Sequence, residues 1–264
     1  MIEKVIHTAD LHIRTYIRHE EYKEQFVKFL EMAKEEKPDR ITIVGDIVHS
    51  KIQLTPELIS MVSWFLNECS KIAITVITIG NHDFIATNLQ RLDALTPIID
   101  AIDNDRIVYL KHTGCYLDEN VVWCVYGQME ESERPNIEEA REKYGNDKTY
   151  VGLYHDPVIG LKTTIGFEFE EGQDISIFEG TDMVMCGDIH KRQHMDYRGT
   201  PIVQVGSMIQ QGFGESPKEH GFLVWDIDTR TYIGYDIPTD YGYYTITVDS
   251  IDVVENGDEE VLYV

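Results

Sequence analysis

The chain has 264 residues, with 47 acidic against 23 basic side chains and a formal net charge of −24. That balance argues against a generic nucleic-acid coat, because nonspecific affinity for DNA comes chiefly from basic surface that neutralises phosphates. The length allows one large two-sheet domain or two small ones with ample core, and no apolar run approaches membrane-spanning length.

In chain order, VIHTA reads as a buried strand and ends in Asp10-Leu11-His12. An amphipathic helix follows from Glu20 to Glu36, with Tyr22, Phe26, Phe29, Leu30 and Ala33 on one face. RITIVG is the second strand and ends at Gly45-Asp46, with His49 three residues on. The next helix starts after Thr55, a good N-cap, with Pro56 at its first position. Leu58, Met61, Val62 and Phe65 form its core stripe, while Ile59, Trp64 and Leu66 widen the apolar surface enough to suggest contact with another subunit in a homodimer. AITVITIG ends in Gly80-Asn81-His82-Asp83. From Ile107 onward strands dominate, with a helix near Asn136 to Tyr144. TYVGLY runs into His155, and DMVMCG into Gly187-Asp188-Ile189-His190. Gly221 to Val248 reads as successive antiparallel strands, so residues 1–248 are the expected core and 249–264 an acidic C-terminal tail. The opening MIEKVIHTAD reads as a strand rather than a leader. Cys69, Cys115, Cys124 and Cys186 lie apart without a C-x-x-C pair, which predicts reduced thiols in a cytoplasmic protein.

Five strand-like runs thus end in metal-binding or polar catalytic residue types. Singly, each has an ordinary explanation: His155 as a satisfied structural histidine, and the glycines before Asp46, Asn81 and Asp188 as turn chemistry. Together they point to one crevice at the carboxyl ends of an α/β sheet. Asp10, His12, Asp46, Asn81, His155, Asp188 and His190 are seven candidate ligands, too many for one tetrahedral ion and enough for two sharing a carboxylate. Oxygen donors mixed with imidazole suit manganese or magnesium, and also iron or zinc. Two ions clamp the attacking and leaving oxygens of an in-line displacement at phosphorus, so the predicted reaction is phosphoester hydrolysis.

In this order, DLH, GDIVH, GNHD, a solitary His and GDIH resemble the calcineurin-like metallophosphoesterases over nearly the whole chain. Within them the residues look most like the SbcD-type DNA double-strand-break nucleases and their bacteriophage counterparts. VGSMIQQGFGE, from Val205 to Glu215, and KEHGFLVWDID, from Lys218 to Asp228, are similar to the segment that closes the nuclease core in that subfamily. The resemblance implies an α/β fold, a four-layer α/β/β/α sandwich with two mixed sheets. It implies a first metal on Asp10, His12, Asp46 and His190, a second on Asp46, Asn81, His155 and Asp188, and Asp46 bridging. His82 matches the catalytic histidine beside the scissile phosphate, and His49 a second histidine near it; Asp83 could orient His82 through a ring nitrogen.

One position departs from the pattern. The family's last motif usually reads Gly-His-x-His, and here Asp188 replaces the first His, which lowers the net positive charge and favours hard ions over zinc. The expected function is two-metal DNA phosphodiester hydrolysis, as an exo- or endonuclease subunit in repair, recombination or replication. Its expected cofactors are two divalent ions, Mn2+ first and Mg2+ second. Relatives of this kind dimerise through helices in the region after Thr55, and work with an SbcC-type coiled-coil ATPase that brings the DNA. Arg14, Arg18, Lys51, Arg91, Lys191 and Arg192, each shortly after a strand end, are where a backbone could pass. Two other classes compete: a small-molecule phosphoesterase acting on nucleotides or cyclic nucleotides, and a non-catalytic scaffold, against which the presence of His82 speaks.

Overall fold

The computed structural model describes residues 1–244 other than 131, 132, 164, 165 and 171. Its first half alternates β1 (Lys4–Thr8), α1 (His19–Glu36), β2 (Arg40–Val44), α2 (Pro56–Ile72), β3 (Ile74–Thr78), α3 (Thr96–Ile102) and β4 (Ile107–Tyr109). Then come β5 (Gly114–Asp118), β6 (Val121–Tyr126), α4 (Ile137–Tyr144), β7 (Thr149–Tyr154), β8 (Met183–Cys186), β9 (Gln193–Tyr197) and β10 (Thr200–Gln204). The described chain closes with β11 (Gly221–Asp226) and β12 (Thr231–Asp236).

The strands form two mixed six-stranded sheets, ordered β12-β11-β1-β2-β3-β4 and β5-β6-β7-β8-β10-β9. In the first, β1 to β4 are parallel and β11 and β12 add an antiparallel edge. In the second, β6, β7, β8 and β10 are parallel and β5 and β9 are antiparallel edges. Strand side chains alternate between faces, so each sheet divides its apolar residues between two cores. Val5, Val44 and Val76 meet Trp123, Val151, Met185 and Trp225 between the sheets. Ile6, Ile41, Ile43 and Ile77 face outward onto Phe26, Phe29 and Phe65 of α1 and α2. On the far side, Val122 and Cys124 take Ile137 and Ala140 of α4. The result is the four-layer α/β/β/α sandwich.

Local chemistry sets the helix ends. Thr55 Oγ1 accepts the Leu58 amide at 3.3 Å with Pro56 in the first turn of α2, and the Asn136 side chain accepts the Glu139 amide at the start of α4. The broad apolar surface of α2 is used largely within the chain: Leu66 is fully buried, and Trp64 is half-buried beneath Lys23, whose Nζ lies 2.9 Å from the ring centroid. Ile59 stays 38 % exposed. Among the described residues, antiparallel pairing after Gly221 ends at Asp236, and residues 237–244 add no further strand; residues 245–248 of the expected strands, the boundary at residue 248 and the acidic tail lie outside the described residues. Among the described residues, no helix is long and apolar enough to cross a membrane.

Candidate metal centre

β1, β2 and β3 of one sheet and β7 and β8 of the other end at a common seam, and each candidate ligand sits in the first few residues past a strand. The β1–β2 pairing continues beyond both strands: the His12 amide donates to the Asp46 carbonyl at 2.9 Å, Ile13 to Ile47 at 2.9 Å, and His49 to Ile13 at 3.0 Å. This holds Asp10–His12 beside Asp46–His49. Asp10, His12, Asp46 and Asp188 all adopt left-handed backbone, with φ of 53°, 45°, 54° and 86°. Such conformations in non-glycine residues cost free energy and cluster at functional sites.

The glycines before the ligands are set by close approach as much as by turns. A Cβ on Gly45 would lie 2.2 Å from His155 Nδ1, and one on Gly80 would lie 2.3 Å from Asp46 Oδ1 and 2.7 Å from His155 Nε2. The His155 ring fills the space those side chains would take.

The donors converge. Asp46 Oδ2 lies 3.4 Å from His12 Nε2 and its Oδ1 3.2 Å from His155 Nε2, so the two oxygens of one carboxylate face opposite sides of the centre. His12 Nε2 and His190 Nε2 are 2.9 Å apart, and Asp10 groups both with these two histidines and with Asp46 and His155. Asp10 thus sits between the two expected ligand sets rather than in the first alone. Asn81 donates through Nδ2 to Asp188 Oδ1 at 3.1 Å, which leaves its buried Oδ1 without a hydrogen-bond partner. Such an orphaned acceptor fits a cation. The Asp188 amide in turn donates to Asp10 at 3.0 Å. His155 Nδ1 donates to the Val44 carbonyl at 2.6 Å, and His190 Nδ1 to Glu215 Oε1 at 2.7 Å. Each leaves Nε2 as the free donor atom.

The electrostatics call for positive charge. Burial pushes Asp10 up to about 7, against the pull of His155 and His190, and burial likewise raises Asp188. Burial would raise Asp46 too, but His155 and His12 hold it below the usual carboxylate range. His155, which burial alone would lower, is held well above the ordinary imidazole range by Asp46 and Asp10. Three carboxylates this close and this buried are stable as anions only with cations among them. The donor set therefore fits two divalent ions.

His82, His49 and Asp83 lie beside this cluster. The His82 amide donates to Asp46 Oδ1 at 2.8 Å, and its Nδ1 donates to the His49 carbonyl at 2.8 Å. The ring is edge-on to His12, with centroids 4.7 Å apart. The expectation that Asp83 orients His82 is corrected: its fully buried carboxylate accepts the amides of Asp46 (2.9 Å), Gly80 (2.9 Å) and Val48 (3.0 Å), pinning the loop after β2 to the loop after β3. The His49 backbone does the orienting instead. Burial and the Asp46 charge push Asp83 up to about 8, while the Val48 and Gly80 amides pull the other way. His49 Nε2 accepts from Arg14 Nη1 at 3.1 Å, and burial together with the Arg14 charge lowers the imidazole to about 4.

Other contacts leave no trace in the sequence. Glu215 ends the FGE segment, yet its partner His190 is 25 residues away in sequence. Tyr22 of α1 donates to the His12 carbonyl at 2.6 Å, and Gln128 donates to the His155 carbonyl. Of the basic residues expected along a backbone path, Arg18 is taken by Glu21 and the Gln210 carbonyl, and Arg192 by Asp236 and the Tyr235 carbonyl. Lys51 reaches the Asn81 carbonyl at 3.1 Å. Lys191 and Lys218 line a cleft with His190 and Glu215.

Residues 3–192 match the family model for the calcineurin-like phosphoesterases. Over 263 aligned residues the chain is 35% identical to an uncharacterized protein of Acanthamoeba polyphaga mimivirus, covering 96% of this chain and 19% of that protein. It therefore spans about a fifth of the length of that viral relative. It is 26% identical over 264 residues to the SbcD component of the nuclease SbcCD from Staphylococcus epidermidis, covering 86% of this chain and 67% of that protein. A dimetal phosphatase from Danio rerio shares the fold at 13% identity, with a TM-score of 0.53 over 86% of this chain and 93% of that one.

Proposed function

The chain belongs to the calcineurin-like phosphoesterases, a family of metal-dependent phosphoester hydrolases, and on that footing we propose that it is a two-metal DNA phosphodiesterase, a nuclease subunit of the SbcD kind. The observation that carries the reading is Asp46, whose two oxygens face His12 on one side and His155 on the other, with His82 held beside them. The similarity to the SbcD component of the nuclease SbcCD supports DNA as the substrate, and Lys191 and Lys218, in a cleft beside His190 that also holds Glu215 and Glu219, would meet a phosphate backbone leaving the centre.

Asp10, His12, Asp46 and His190 would hold one ion, and Asp46, Asn81, His155 and Asp188 the other, with Asp10 close to both. Bound there, two divalent ions, manganese before magnesium, would supply positive charge to the attacking and leaving oxygens of an in-line displacement. His82 is fixed through Nδ1 by the His49 carbonyl, so Nε2 is the ring atom left to face the leaving oxygen and exchange a proton with it. Burial and the Arg14 charge keep the His49 ring neutral, with Arg14 donating to its Nε2. Asp83, bonded to three amides, fixes the relative height of Asp46 and the Asn81-His82 turn.

The activity is assigned to residues 1–248, in the cytoplasm, working with an SbcC-type coiled-coil ATPase. A net charge of −24 leaves the chain poorly equipped to gather DNA alone. A second copy docking on the α1–α2 face would cover Val27 and Ile59, each more than a third exposed. The same charge favours the competing reading, a small-molecule phosphoesterase. Incubation of metal-free protein with linear DNA, nicked DNA and a chromogenic phosphodiester under manganese, magnesium or zinc separates the two. DNA cleavage that needs added ion and is strongest with manganese is expected, and it should rise when the ATPase of the same genome is present. Hydrolysis of the chromogenic ester with DNA left intact under every ion and with the ATPase would overturn the nuclease reading.

A further inference from the structure

The β5–β6 hairpin brings together two cysteines that lie nine residues apart in the sequence. Cys115 and Cys124 are directly opposite in the antiparallel register, and their sulfurs are 3.9 Å apart. Opposed residues in such a pair have Cα atoms about 4.5–5.5 Å apart, inside the roughly 4.4–6.8 Å that a disulfide spans. Closing the sulfurs to bonding distance therefore needs side-chain rotation and no movement of the strands. The two thiols also differ in access. Cys124 is fully buried beneath α4, against Ile137 and Ala140. Cys115 is half-buried and lines a surface cleft with Asn136, Lys143 and Tyr144. The remaining cysteines, Cys69 and Cys186, are fully buried, and the sequence of neither element pairs it with another thiol.

We propose that Cys115 and Cys124 form a site of oxidative modification, with Cys115 as the thiol that meets the oxidant and Cys124 as the resolving thiol that closes an intramolecular, reversible disulfide. With hydrogen peroxide as oxidant, the Cys115 thiolate attacks one peroxide oxygen, breaks the O–O bond and becomes a sulfenic acid, releasing hydroxide. The Cys124 thiol then attacks the Cys115 sulfur and water leaves, so two thiols and one peroxide yield one disulfide and two waters. The Cys124 thiol holds Cys115 below the ordinary thiol range even though burial pulls the other way, which favours the reactive thiolate at Cys115. Cys69 and Cys186 are fully buried, and the sulfur–sulfur approach of Cys115 and Cys124 has no counterpart at either, so they stay inert under the same treatment.

The test uses the folded, reduced full chain exposed to hydrogen peroxide, quenched in acid, unfolded and alkylated. Two of the four thiols should resist alkylation, and both should sit in the tryptic peptide from His112 to Arg141, since Pro135 protects the bond after Arg134. Glu119 lies between them, so cleavage after glutamate should give two peptides that stay joined until a dithiol reductant is added. Cys124→Ser should instead leave Cys115 as a sulfenic acid that a cyclic dione captures. Full alkylation of Cys124 after peroxide treatment, or Cys115 recovered in a disulfide with a second chain, would overturn the proposal.

Discussion

Glu215→Gln probes the centre through a residue that is not itself among the proposed ligands but holds one of them, His190. Glu215 Oε1 accepts from His190 Nδ1 at 2.7 Å and Oε2 from the Gln211 amide at 2.7 Å, with the side chain only 10% exposed. Glutamine keeps the size and one acceptor but removes the charge, so a charge-assisted bond becomes a neutral one of roughly half the strength, a loss of about 1–1.5 kcal/mol. Its amide group would also meet the Gln211 N–H donor to donor. Since about 1.4 kcal/mol is a factor of ten, divalent affinity should fall roughly tenfold, and Glu215→Ala should reach roughly a hundredfold. The pH dependence has a definite sign. Burial lowers His190, but Glu215 and Asp10 raise it more, so the ion must displace a proton that His190 holds more firmly than an ordinary imidazole. Affinity should therefore rise with pH through that raised range, and the variant, with less of the raise, should reach its plateau at lower pH. Calorimetric titration of manganese into metal-free protein across the imidazole range reads both effects. Equal affinity and an identical pH profile in Glu215→Gln would refute the positioning role.

Three further outcomes are expected. His82→Ala should lower kcat by about a hundredfold to ten-thousandfold, the range for a lost general acid, while bound metal measured by elemental analysis stays at the wild-type stoichiometry; loss of an ion would place His82 among the ligands instead. Asp188→His restores the family's usual residue and raises the net charge at the centre by one unit, so an active enzyme with its pH–rate profile moved to lower pH is expected, and a folded but inactive variant would show that the carboxylate does more than ligate. His7 is fully buried between the sheets with Trp225 Nε1 donating to its Nδ1, and burial lowers it to about 3. The unfolded chain then binds the extra proton first, so stability is complete above the unfolded imidazole value and falls as pH drops below it. At pH 5 the deficit should be about 2 kcal/mol, read by urea unfolding. His7→Gln should remove that part of the acid sensitivity, and an unchanged slope would show that other groups cause it.

The strand ends were legible because each combines a β-branched buried run with a short polar motif that ordinary turn chemistry does not require together. Runs such as VVWCVY are apolar on both faces, and the sandwich buries both. The helix after Thr55 was legible from its cap, but what its wide apolar surface meets depends on α1, where Lys23 covers Trp64. Contacts set by loop closure left no local signal. Glu215 reaches His190 only because the segment after β10 folds back over β8, and Asp83 binds amides from two loops that only the folded sheet brings together. The cysteines looked unrelated because their pairing depends on hairpin register. The edge strands β5 and β9, GCYLD and QHMDY, are too polar and too short in apolar period to stand out.

The most direct test of two ions bridged by Asp46 is diffraction from manganese-soaked crystals, recorded at the manganese absorption edge. Two anomalous peaks on the order of 3.5–4 Å apart, one against each Asp46 oxygen, with Asn81 Oδ1 beside the His155 peak, are expected. A single peak, or two peaks that do not share Asp46, would contradict the two-metal centre.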